Sequence, residues 1–189
     1  MEIDLSFRIN KKVMEESAKK KIEDVPKKGV IMFVCSPDKY NETRNFILKT
    51  WTETFSKKGI YLSLNRPYEN LIQNFSQSRI DHSQLFFLDN VSRSESDVDN
   101  CYFLSSDLAK LNLSFCSSVK EKSPDFMLMD SLNDLFLEDE NRATKLLNEY
   151  IKKAKVNEIN GLILVIKEPI IDEIIDVYKK DIDSVIEIY

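Results

Sequence analysis

A chain of 189 residues, 42% hydrophobic and 31% charged, is long enough for one domain with a substantial core. Its net charge of −5 and pI near 5.1 argue against a nucleic-acid-binding surface. No apolar run approaches the roughly 18 residues a membrane helix needs, and Met1–Leu5 lack the basic start and apolar stretch of a secretory signal, so a cytoplasmic protein is expected.

Residues 2–10 alternate, with Ile3, Leu5, Phe7 and Ile9 apolar and polar residues between them, which predicts a half-exposed strand. Lys11–Asp24 reads as a charged helix with a thin stripe of Met14, Ala18 and Ile22, stopped near Pro26. Residues 1–28 are therefore taken as an appendage and 29–189 as the domain proper. Val30–Cys35 is apolar throughout, as expected of a strand buried on both faces of a parallel sheet. A loop, Ser36–Tyr40, leads to a helix over Asn41–Lys58 with Phe46, Ile47, Trp51 and Phe55 on its buried side. Ile60–Leu64 predicts a second strand, Pro67–Ser78 a helix, and Leu85–Leu88 a third strand. Residues 89–100 are polar and aperiodic, a candidate mobile loop. Tyr102–Leu104 reads as a short strand, Ser106–Lys120 as a helix and Phe126–Asp130 as a buried strand ending on an acid. Glu140–Val156 is an amphipathic helix, followed by a strand at Leu162–Ile166, a helix at Pro169–Lys179 and a strand at Ser184–Tyr189. Apolar strands separated by helices imply an α/β fold of three layers, a mostly parallel central sheet with helices on both faces.

Each glycine, Gly29, Gly59 and Gly161, sits immediately before an apolar run. Each is read as a left-handed C-cap turning a helix into a strand. Cys35, Cys101 and Cys116 are odd in number and in no CxxC pair, which argues against a disulfide framework or a zinc site and for three buried free thiols. His82 is the only histidine and reads as a loop residue.

Ligands of such sheets lie beyond the carboxyl ends of the strands, and the turn after the first strand is Ser36–Thr43, SPDKYNET. A phosphate loop reads GxxxxGK[ST], its glycines letting backbone amides face the phosphates while the lysine reaches the outer ones. On that template Ser36 and Asn41 take the glycine places, Glu42 takes the lysine place, and only Thr43 matches.

In the order and spacing of its segments the chain resembles the RecA-like ATPases of the P-loop superfamily, specifically the KaiC-like branch found widely in archaea and cyanobacteria. The run VIMFVC (30–35) looks like that family's first strand and IYLSL (60–64) its second. FMLMDSL (126–132) looks like the Walker B strand, which would put Asp130 at the magnesium-associated position, and IDSVIEIY (182–189) is similar to the closing strand. The resemblance covers residues 29–189. It implies a RecA-like fold, an ATP and magnesium site at Ser36–Thr43 and Asp130, and side-by-side assembly with the nucleotide at the interface.

The departures weigh against that activity. Glu42 replaces a cation by a carboxylate beside a triphosphate; unit charges about 4 Å apart interact by roughly 4 kcal/mol at an effective dielectric near 20, so the exchange opposes binding by several kcal/mol. Glu42 can instead stabilise the start of its own helix, with Asn41 as cap. The family's catalytic acids would fall at Asn65 and Arg66, neither of which is a base at neutral pH.

The expected function is accordingly a pseudo-ATPase: a non-hydrolysing regulatory or scaffolding domain of an archaeal-type cytoplasm. It would act through protein contacts, as a homo-oligomer or with an active relative. Ser36, Lys39, Asn41, Glu42, Thr43 and Asp130 would be the remnant of a nucleotide site, with no cofactor and no catalytic residue. In the alternative, an ATPase or sensor with an unconventional phosphate loop, Lys39 swings in for the missing lysine while Thr43 and Asp130 hold the magnesium of Mg-ATP. If nucleotide does not bind, Glu42→Lys is the change that should help binding. A nucleic-acid-binding recombinase relative has little support, because the net charge is acidic and the basic residues do not cluster with aromatics outside the N-terminal helix. The strand at 2–10 would offer a pairing edge, its own sheet being the favoured partner.

Overall fold

Strands made of uninterrupted apolar residues must be covered on both sides, and the computed structural model shows how this is achieved. It describes residues 28–93, 97–104 and 108–188, together with Glu16 and Lys20, both helical. The strand expected at 2–10 and the rest of the helix expected at 11–24 lie outside the described residues.

Among the described residues seven strands form one sheet: β1 (Val30–Cys35), β2 (Gly59–Ser63), β3 (Leu85–Asp89), β4 (Cys101–Phe103), β5 (Phe126–Asp130), β6 (Asn160–Ile166) and β7 (Ser184–Ile188). Their order is β4-β3-β2-β5-β6-β1-β7, and every pairing is parallel. The helices are α1 (Tyr40–Leu48), which runs on into a wider π turn at Lys49–Thr54, α2 (Tyr68–Gln77), α3 (Leu108–Lys122), α4 (Asn133–Glu138), α5 (Glu140–Val156) and α6 (Pro169–Tyr178).

Alternate residues of each strand serve opposite cores. Val30, Met32, Val34, Met127, Met129, Ile163 and Val165 pack with the buried faces of α3, α4, α5 and α6. Ile31, Phe33, Tyr61, Phe87, Phe126, Leu128 and Leu164 pack with α1 and α2. The connections from β1 and β2 run toward the β4 edge, and those from β4, β5 and β6 run toward the β7 edge. At the neighbouring pair β2 and β5 the chain therefore leaves in opposite directions, opening a crevice beyond Ser63 and Asp130.

Three expectations are corrected. No glycine has positive φ; the left-handed positions after the helices belong to Ser56, Arg79, Ser123 and Glu158, and two of these precede Gly59 and Gly161 by three residues. Gly59 is needed for close approach instead, since a Cβ there would lie 2.3 Å from the ring of Phe126, its register partner. Helix α1 begins at Tyr40 rather than Asn41, and buries Tyr40, Thr43, Arg44, Ile47 and Leu48 while Phe46 is half-buried and Phe55 exposed. Cys116 is exposed, whereas Cys35 and Cys101 are buried.

Part of the polar stretch at 89–100 is tied down. Asp89 ends β3 and accepts the amides of Tyr68, Val91 and Ser92, while Val98 and Cys101 exchange backbone hydrogen bonds at 3.0 Å. Burial pushes the Cys35 thiol up to about 11 and the Cys101 thiol up to about 12, keeping both as unreactive thiols at neutral pH. Alkylation of the native protein at pH 8 is expected to consume Cys116 alone, with Cys35 and Cys101 modified only after unfolding; mass mapping of the labelled peptides checks this.

Candidate functional site

The turn after β1 is short because Pro37 fixes φ and starts a single 3-10 turn, Pro37–Lys39, which passes directly into α1. Three of its amides are spent internally. The Ser36 amide donates to Ile188 O at 3.4 Å, that of Lys39 to Ser36 O at 3.0 Å, and that of Tyr40 to Pro37 O, while Pro37 has none to give. A phosphate cradle needs such amides turned outward together. Lys39 lies 3.3 Å from the Glu42 carboxylate, so the cation proposed to replace the missing lysine sits beside the acid in the lysine's place. Asn41 is exposed within the first helical turn and is not the cap, a position held by Lys39 without a side-chain hydrogen bond. Thr43 points into the core; its hydroxyl, near the Cys35 thiol, is buried without a hydrogen-bond partner.

Asp130 is completely buried at the end of β5. Its two carboxylate oxygens accept hydrogen bonds from the Tyr40 and Tyr61 hydroxyls, one each. Tyr61 comes from the neighbouring strand β2, and its ring meets Phe75 and Phe87 edge-on or tilted at 5.7 and 5.5 Å. Tyr40 comes from the first residue of α1 and thus occupies space between the turn and the acid. Asn65 donates to the Tyr40 hydroxyl at 3.4 Å and to Ser131 Oγ at 3.1 Å.

Two guanidinium groups flank this cluster. Arg66 lies 5.0 Å from the Tyr40 ring centre, and Arg44, itself wholly buried, lies 5.9 Å from it and 5.2 Å from that of Phe75. Arg44 donates to Asn74 Oδ1, but its Nε and Nη1 have no hydrogen-bond partner. Burial raises the Asp130 carboxyl above the usual range, opposed by the tyrosine hydroxyls and by the charges of Arg44 and Arg66. Burial and the adjacent Asp130 charge in turn push the Tyr40 and Tyr61 hydroxyls up, so both remain protonated donors.

The remnant residues are therefore brought to one end of the sheet but not to one open surface. A magnesium–nucleotide complex needs a carboxylate with free lone pairs, a cation and outward amides. Here the carboxylate is buried with each oxygen held by a tyrosine hydroxyl, the cation is paired and the Ser36, Lys39 and Tyr40 amides are used within the fold, so the residues do not fit that group. Among the described residues no cluster of three or more His, Cys, Asp or Glu could hold a metal ion. Sequence reading missed Tyr40, Tyr61 and Arg44. The available signal was a tyrosine inside an apolar strand and an acid at the end of another, two buried polar groups each needing a partner.

No family model matches the sequence, and no curated protein matches it either. Among solved structures the fold resembles a KaiC-like protein from the hyperthermophilic archaeon Pyrococcus horikoshii OT3, with a TM-score of 0.59 at 14% identity over 76% of this chain. The match spans 65% of the length of that protein. At that identity the likeness is one of fold: a three-layer, all-parallel α/β sheet of the RecA/KaiC-like kind. Among the described residues no helix is long and apolar enough to cross a membrane.

Proposed function

We propose that this chain is a non-hydrolysing RecA/KaiC-like domain that works through protein contacts as a regulatory or scaffolding component. The observation that carries the reading is the closed state of Asp130: the one remaining acid of the nucleotide machinery has both oxygens bonded to tyrosine hydroxyls within the core. The internally bonded amides of Ser36, Lys39 and Tyr40 and the Lys39–Glu42 pair support it independently. A ligand phosphate would have to break the turn, separate that pair and displace Tyr40 together.

Calorimetry with Mg-ATP, ADP and GTP tests this directly. No binding is expected at micromolar to submillimolar nucleotide. Micromolar affinity that is lost in Thr43→Ala would overturn the proposal, because that hydroxyl reaches a ligand only if the turn reopens. Glu42→Lys is the single change most favourable to binding, and its failure to bring affinity into the micromolar range is also expected.

A further inference from the structure

The helical layer formed by α3, α5 and α6 carries a charge division that the Asp130 cluster does not explain. Helices α3 and α5 together hold eight cations, Lys110, Lys120, Lys122, Arg142, Lys145, Lys152, Lys153 and Lys155, against Glu121, Glu140 and Glu149, in a chain whose net charge is −5. Between them runs a groove of about 250 Å³, floored by Cys116, Val119 and Val156 and edged by Lys120, Lys152 and the Lys153–Glu149 pair. Leu113 continues its apolar stripe one turn along α3 and is 72% exposed, as is Val156. Helix α6 has the opposite character. Its outer face presents Asp172, Glu173 and Asp176 around Val177, which is 74% exposed, before Lys179 and Lys180 close the helix.

We propose that this layer is a self-association surface, on which Val177 and the acidic face of α6 from one copy dock in the basic α3–α5 groove of a second copy. The occupant follows from complementarity. An apolar floor rimmed by lysines calls for an apolar residue flanked by acids, and α6 displays that combination on the same exposed layer. A two-fold axis lying in the interface lets both copies make the contact at once, so the assembly closes as a dimer. The area is adequate: with α5 roughly 25 Å long and neighbouring helices about 8–10 Å apart, the layer offers on the order of 600–700 Å², close to the roughly 800 Å² per partner of a standard interface. Lys153 and Lys155 already pair with Glu149 and Asp181 within the chain, and Asp172 with Lys167. The contact therefore falls chiefly to Lys120 and Lys152 on one side and Glu173 and Asp176 on the other.

This rests on the reading of the domain as one acting through protein contacts, but not on its inability to bind nucleotide, which calorimetry decides separately. Sedimentation equilibrium of the full chain is expected to show a monomer–dimer equilibrium at ~0.05 M salt that weakens about tenfold or more at ~0.5 M salt, as screening shortens. Lys120→Glu with Lys152→Glu should give a monomer, and so should Glu173→Lys with Asp176→Lys. All four positions are on the surface, and unchanged melting temperatures confirm that the fold survives. An equimolar mixture of the two variants should recover the dimer, because each then supplies the charge the other lacks. Wild-type protein that stays monomeric at every concentration overturns the proposal, as does a dimer indifferent to both variants or a mixture that fails to associate. A monomer in which the groove variants alter protease protection of residues 1–27 would assign the face to this chain's own N-terminal segment instead.

Discussion

Replacing Asp130 by alanine is expected to lower folding stability by about 3–5 kcal/mol, measured by urea denaturation. The carboxylate is completely buried and is the acceptor for the Tyr40 and Tyr61 hydroxyls. Truncation leaves both hydroxyls without that acceptor and takes from the wholly buried Arg44 a compensating charge. The opposite result follows if Asp130 is an open ligand position: removing a buried, unpartnered carboxylate relieves desolvation, so the variant would be neutral or more stable. Tyr40→Phe and Tyr61→Phe should each cost about 1–3 kcal/mol in the wild type and much less in the Asp130→Ala background, a coupling read from the double-mutant cycles. Asp130→Asn separates charge from hydrogen bonding. Because burial raises the carboxyl above its unfolded value, the folded state binds the proton more tightly. Its contribution to stability is present below the unfolded value and is lost as pH rises through the folded one. Relative to Asp130→Asn, wild type should therefore be favoured most at acid pH and progressively less toward neutrality.

How much of this was legible in the sequence depends on what carries the signal. Apolar runs bounded by turn residues placed the seven strands to within a residue or two, because a strand covered on both faces leaves no other pattern. They also led to a mostly parallel sheet, since most of the runs are followed by a helix; β3 reaches β4 without one, and that pair is parallel too. The buried face of α1 and its π turn was read in part: Ile47 and Trp51 are buried as expected. Apolarity pointed to Phe46 and Phe55, but the helix turns Thr43 and Arg44 inward, where Arg44 meets Asn74 and the Phe75 ring. Single-residue hydrophobicity cannot anticipate a buried cation, whose compensation comes from side chains on α2 and β5. The same holds for the site. Glu42 in the lysine's place was visible, whereas the closure of Asp130 depends on Tyr40 and Tyr61, which lie 90 and 69 residues away along the chain. The acid and the tyrosines could each be seen to need a partner, but only the parallel register of β2 against β5 makes them partners of one another.

Gly59 separates the two readings of the glycines most sharply. As a left-handed cap, its replacement by alanine would cost about 1–2 kcal/mol whatever stands at position 126. In the fold its φ is not positive, and its role is to leave room: an added Cβ would lie 2.3 Å from Cζ of Phe126 and 2.6 Å from Cε1 and Cε2. That ring is fully buried and packs against Trp51 at 6.2 Å, so it has no free direction in which to swing. Gly59→Ala should cost about 2–4 kcal/mol, at or beyond the upper end for overpacking. Phe126→Leu alone should cost about 1–3 kcal/mol through the cavity it leaves. The double variant should be at least about 1 kcal/mol more stable than the sum of the two losses, since the shorter side chain frees the space the new methyl needs. Strict additivity, with Gly59→Ala equally harmful beside Phe126 or Leu, would return Gly59 to the role of a conformational cap. A favourable coupling instead identifies the contact by which the second strand closes against the one that carries Asp130.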